Sequence, residues 1–96
     1  LWEFPGFETS RVEDVPDLMK RSYGANIRLI RHMCDIRHVF THLKWEMAVH
    51  EGIALTSVPR SEDVRFVSVK DLDKYAFSVS HQKIIQRLKE EPSTWT

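Results

Sequence analysis

Four side chains that ligate metals well, His32, Cys34, His38 and His42, lie close together in the chain. Zinc would require them to converge on one tetrahedral point. On an extended strand these even-numbered positions share a face but spread along it by roughly 3.3 Å per residue, so no metal site is expected. Cys34 is the single cysteine. It cannot form an internal disulfide, nor hold an iron–sulfur cluster or zinc ribbon alone, and among histidines on a half-buried strand it reads as a core residue. The acidic pairs Glu13-Asp14 and Glu90-Glu91 fall at helix ends. The helix dipole accounts for the first pair and solvation for the second, so neither is assigned acid–base chemistry.

Between Arg28 and Lys44 the charged residues are Arg28, Arg31, Arg37 and Lys44 against Asp35 alone, four minus one, a local charge of +3. His32, His38 and His42 add donors, and Phe40 stands beside the hydroxyl of Thr41. Basic groups anchor phosphates, and an exposed aromatic can wedge between bases. The candidate nucleic-acid contacts are therefore Phe40, Thr41 and His42 at a loop tip, with Arg37, His38 and Lys44 on phosphates. The competing reading is a solvated strand face with Phe40 in the core.

Several elements must position these groups. Leu1 to Phe4 reads as a short strand stopped by Pro5-Gly6. Asp14 to Tyr23 carries Val15, Leu18 and Met19 at helical spacing, acids early and bases late, Pro16 in the first turn and Gly24 as a left-handed close. Ile27 to Phe40 is a long strand. Leu43, Trp45, Met47 and Val49 alternate with Lys44, Glu46, Ala48 and His50 as a half-buried second strand, which Gly52 ends. Thr41-His42 joins the two, although neither residue is a strong turn former. Either the connection is longer than it looks or these side chains are wanted there. After a polar loop through Pro59-Arg60-Ser61, Arg65 to Val69 reads as a short strand. Ser68 and Asp71 then form a capping-box pattern before a helical turn that carries Leu72 and Tyr75 inward. Ser80 is placed as the N-cap of a last helix, with His81, Ile84, Ile85 and Leu88 on one face and Pro92 as its stop. Residues 1–91 make one domain and 92–96 a loose tail.

The 96 residues suffice for one domain, and 42% apolar with 29% charged residues is the composition of a folded chain. Fourteen basic side chains balance fourteen acidic ones, so only local charge can argue for a nucleic-acid partner. No apolar run approaches the roughly 20 residues of a membrane helix, no signal-peptide start is visible, and a reducing, cytoplasmic setting is expected. With no initiating Met and a strand-like opening, the chain reads as a piece of a longer protein.

Leu1-Trp2-Glu3-Phe4-Pro5, Phe40-Thr41-His42 and Phe77-Ser78-Val79-Ser80-His81-Gln82 together resemble the C-terminal domain of MutY-type adenine DNA glycosylases. The first motif is shared with the wider Nudix superfamily. The resemblance runs from Leu1 to about Glu91 and implies an α/β (α+β) class, a Nudix-like mixed sheet with packed helices, truncated at its N-terminal strands. A Nudix hydrolase is the competing member. Its metal-binding box, anchored on Gly24, puts the paired glutamates at Arg21 and Ser22 and the Arg-Glu pair at Asp17 and Leu18. Gly6 is also three residues too close, so hydrolysis of nucleoside diphosphates is not expected.

For the parent protein, the resemblance implies an N-glycosyl hydrolase that removes adenine opposite 8-oxoguanine in base excision repair, in the cytoplasm at the bacterial nucleoid. Its iron–sulfur cluster and catalytic acids are expected in an N-terminal catalytic domain, which would be this domain's partner on double-stranded DNA. This stretch by itself would carry no cofactor and release no adenine. The reading loop falls on Phe40, Thr41 and His42, where Thr41 replaces the family's usual serine. It keeps the hydroxyl but stiffens χ1. Phe77 to Gln82 is read as a helix cap and anchor. An alternative is a protein-interaction platform, with the loop from Thr56 to Asp63 docking repair or replication proteins.

Overall fold

The computed structural model describes residues 1–58 and 61–90. In chain order its elements are a 3-10 helix Val12–Asp14, helix α1 (Val15–Tyr23), strand β1 (Ile27–Val39), strand β2 (Lys44–Ala54), a 3-10 helix Val69–Lys74 and helix α2 (Val79–Glu90). The class is α+β, and its sheet is the antiparallel hairpin β1–β2. The expected mixed sheet is reduced accordingly. Its parallel component is one isolated bridge between Trp2 and Phe77, where the Trp2 N–H donates to the Ala76 carbonyl at 2.7 Å. Leu1 to Phe4 is thus a bridge and not a strand. Arg65 to Val69 is not a strand either: Ser61 and Val64 form an isolated bridge, and Val69 already opens the second 3-10 helix. Alternation alone makes no strand where no neighbour supplies a ladder. Glu91, the Pro92 helix stop, the tail 92–96 and the Pro59-Arg60 segment of the polar loop lie outside the described residues.

The chain divides into two compact units, the first formed by Leu1–Phe4, Cys34–Val49 and the chain from Phe66 onward, the second by Pro5–Met33 and His50–Arg65. The first holds most of the core: Cys34 and Ile36 of β1, Leu72 of the second 3-10 helix, and Ser80, His81, Ile84 and Ile85 of α2 are buried. Here α2 begins earlier than its sequence suggests. The Gln82 amide reaches the Ser78 carbonyl at 2.9 Å, so Ser80 lies inside the first turn, buried, and is not the N-cap. The Gln82 side chain adds a second tie, from Nε2 to the Phe77 carbonyl at 2.9 Å. At Ser68 the cap is a backbone bond alone, from the Asp71 N–H at 2.9 Å, with no side-chain box. The N-terminal segment is held to α2 by the Phe4 N–H, which donates to His81 Nδ1 at 2.9 Å. The Phe4 ring stacks on His81 and Phe77.

In the second unit α1 ends as expected. Gly24 takes φ 65°, and the N–H groups of Gly24 and Ala25 close on the Lys20 and Met19 carbonyls. An L side chain at that φ would be strained, which is why glycine stands there. The hairpin base is fastened by the Leu55 N–H to the Asn26 carbonyl at 2.8 Å and by Asn26 Nδ2 to Thr56 Oγ1 at 3.1 Å. Gly52 does not end β2, which runs on to Ala54. Its missing side chain serves close approach instead, because a Cβ there would lie 3.2 Å from the Arg28 carbonyl oxygen.

The two strands differ in length, thirteen residues in β1 against eleven in β2. Extra residues in one strand of an antiparallel pair are absorbed as bulges, which shift which side chains face inward. On β1 the covered positions are Ile27, Leu29 and Met33 in the first half but Cys34, Ile36 and His38 later, so odd gives way to even. Equal parity therefore does not give one face. His32 is exposed while Cys34 is buried, and the four supposed zinc ligands are not a common row.

Two outcomes follow from this packing. Burial pushes the His81 imidazole below its ordinary value of 6.5, outweighing the Glu3 carboxylate that pulls it up. The unfolded chain then takes the proton first, so the stability contributed by the neutral ring is complete above about pH 6.5 and is lost as pH falls below it. Melting temperature should drop through that window and drop less in His81→Asn; equal slopes in the two proteins would remove His81 from the account. Gly52→Val should lower stability by about 1–3 kcal/mol, because a backbone oxygen yields little. Urea unfolding measures it, and an unchanged midpoint would show that the strand has room.

Candidate nucleic-acid interface

Phe40 to Leu43 connects β1 to β2, closed by the Phe40 N–H donating to the Leu43 carbonyl at 2.7 Å. No residue in this connection has positive φ. That excludes the usual two-residue hairpin turns and removes the need for Asn or Gly, so Thr41 and His42 can occupy the tip. The connection is four residues, longer than the Thr41-His42 pair the sequence suggests, because Phe40 and Leu43 fall outside the strands. Thr41 and His42 are exposed, and Phe40 is 43% exposed, not a core residue.

Phe40 is held between two edges. Its ring lies 4.6 Å from His38 and 5.4 Å from Trp45, at interplanar angles of 76° and 77°. Aromatic pairs favour this edge-to-face geometry, which fixes the ring without covering it completely. Trp45 and Leu43, expected to turn inward, are 49% and 64% exposed. Along β2, partial cover is found only at Met47 and from Val49 to Glu51. The tip is therefore an exposed aromatic cluster with aliphatic flanks at Val39 and Leu43.

His38 is in turn fixed from α2. Lys83 Nζ donates to the Arg37 carbonyl at 3.1 Å and lies 3.2 Å from His38 Nδ1. An ammonium has only donors, so in this contact the ring nitrogen is the acceptor. A chain of contacts thus runs from Lys83 through His38 to Phe40 and Trp45.

The cations are less available than a count from Arg28 to Lys44 suggests. Arg37 pairs with Glu46 at 3.1 Å, Lys44 lies 3.9 Å from the same carboxylate oxygen, and Arg31 pairs with Glu51 at 2.8 Å. Both acids lie just past the counted segment. Of the six candidate residues, Arg37, His38, Phe40 and Lys44 are linked within the tip network, and Thr41 and His42 project from its end. Trp45, Lys83 and Glu46 are the members that sequence reasoning missed. Trp45 and Glu46 were within its reach, since they follow the turn directly, whereas nothing local marks Lys83.

Among the described residues no three His, Cys, Asp or Glu side chains gather to hold a metal. At the Nudix box positions on α1 the donor set does not suit a divalent cation either. Leu18, Arg21 and Ser22 supply no carboxylate, and the one acid, Asp17, is joined to Arg21 at 2.6 Å.

If Lys83 sets the tip, Lys83→Met should free the His38 ring and broaden the Phe40 and Trp45 aromatic resonances, with the melting temperature changed little. Aromatic NMR spectra check it; unaltered shifts at Phe40 would mean that the turn holds itself.

The family comparison accords with this picture of a helix and hairpin scaffold. A family model described as the NUDIX domain matches residues 1–87. With nearly the whole chain covered, the protein belongs to the NUDIX domain family.

Proposed function

We propose that this chain is the lesion-reading domain of an adenine DNA glycosylase, which recognises 8-oxoguanine opposite adenine in duplex DNA while adenine release is carried out elsewhere in the parent protein. The observation that carries the reading is the exposed hairpin tip, where Phe40, Thr41 and His42 stand clear of the core on a fixed base. It favours reading a base over the core-residue alternative for Phe40.

The chemistry suits the residues. Guanine offers N7 as an acceptor, whereas the oxidised base carries hydrogen on N7 and oxygen at C8. A threonine hydroxyl accepts from that N7 hydrogen or donates to the new oxygen, and the backbone groups of the turn do likewise. Phe40 fills the space beside the base, with Trp45 at its edge, and His42 reaches the sugar-phosphate. Arg37, His38 and Lys44 face the backbone on either side. Normal guanine would leave such a polar pair unsatisfied, a difference of about 1–3 kcal/mol. Pyrophosphate hydrolysis has no comparable support, since the α1 positions lack the carboxylates it requires. The catalytic acids, the iron–sulfur cluster and the catalytic domain partner belong to the parent in this reading, as do any repair or replication proteins it meets.

Titration of this chain with duplex containing 8-oxoguanine opposite adenine should move the amide resonances of Phe40 to His42. Movement confined to the Thr56–Asp63 loop would point to a protein partner instead. Thr41→Ala should reduce the preference for 8-oxoguanine over guanine by about five- to tenfold, the equivalent of one lost hydrogen bond. Comparison of binding to the two duplexes tests this, and an identical preference would eliminate the hydroxyl as the reader.

A further inference from the structure

Resting on the reading of this tip as a DNA-binding site, we infer that Glu46 tempers phosphate affinity: it occupies Arg37 and Lys44 in place of phosphate and so weakens binding to duplex DNA, damaged and undamaged alike. One carboxylate oxygen serves both cations, at 3.1 Å from Arg37 Nη2 and 3.9 Å from Lys44 Nζ. All three side chains are more than half exposed. This is the arrangement a backbone phosphate would adopt with the same two groups, an anionic oxygen against a guanidinium and an ammonium.

Because the pairs are exposed, they are weak and exchange readily for another anion. Yet the carboxylate stays tethered beside the cations it gives up. An arriving phosphate therefore meets two positive charges and one negative charge. Its attraction is reduced at the short range where screening is least effective.

Phosphates are the same in damaged and undamaged duplex, so the penalty falls equally on both and leaves base reading to Thr41 and its neighbours. Such a penalty is useful to a domain that must find one altered base among a large excess of normal sites. Residence on those sites scales with phosphate affinity.

The test is Glu46→Gln in this chain, titrated by fluorescence anisotropy with duplexes carrying 8-oxoguanine or guanine opposite adenine, between about 50 and 200 mM salt. The variant should bind both duplexes about three- to tenfold more tightly at low salt, with their ratio unchanged. Its plot of log affinity against log salt should steepen by about one to two, since each phosphate newly engaged contributes about 0.9. Arg37→Gln added to Glu46→Gln should cancel much of the gain. Unchanged affinity and slope, or a changed ratio without a changed slope, would overturn the role of Glu46. If neither protein binds either duplex, the DNA reading itself fails. Wild-type binding with an indifferent Glu46→Gln variant sinks only the inference.

Discussion

The ammonium of Lys83 ends between the Arg37 carbonyl and the His38 ring, tying helix α2, whose inner face is buried, to the end of β1. It braces the hairpin tip alongside the turn's own bond from the Phe40 N–H to the Leu43 carbonyl. A hairpin end with exposed residues and no glycine turn has little to define its own geometry, because its side chains bury too little area to offset their lost freedom. The helix supplies the missing constraint. Its inner face is anchored by His81, Ile84 and Ile85, so the lysine on its flank starts from a rigid base. His38 transmits that constraint to Phe40 by ring contact, and Phe40 to Trp45. The result is an aromatic surface ordered before any ligand arrives, which lowers the entropy lost on binding.

The electrostatics of the tip follow a different rule. Its cations are surface groups in mutual contact with an acid, and their net effect is smaller than their number. On the proposed reading, shape and hydrogen bonding at Phe40 and Thr41 carry most of the discrimination, with charge supplying approach and register. This division suits a reader of bases better than a clamp on the backbone.

How far the sequence showed all this depends on whether each signal is local. Helix α1 and its Gly24 close, the two long strands and the inner face of α2 were legible, since each rests on spacing within a few residues. Leu1 to Phe4 and Arg65 to Val69 are not strands because a strand exists only with a neighbour: the first has a single bridge at Trp2 and the second none among the described residues. The end of β2 is not marked by Gly52, because that glycine answers the close approach of the Arg28 carbonyl and the strand runs on to Ala54. Parity failed along β1 because the strand carries more residues than its partner. At the tip, chain order placed Phe40, Thr41 and His42 well. Lys83 escaped because its partners lie more than forty positions away, and Glu46 because the charge count stopped two residues short of it.

Helix α1 of this NUDIX-family chain carries no carboxylate at Leu18, Arg21 or Ser22. In α1 Asp17 pairs with Arg21 one turn later, an exposed i,i+4 contact that adds on the order of a few tenths of a kcal/mol to the helix. The cap at Gly24 and the paired rings of Phe7 and Tyr23 serve the same structural end. A helix relieved of holding a cation no longer needs clustered acids, whose mutual repulsion would have to be offset by the metal itself. Arginine at such a position is then favourable. In this chain α1 is held by the Gly24 cap and an exposed i,i+4 pair, and the exposed hairpin tip is the part of the fold on which the proposed recognition rests.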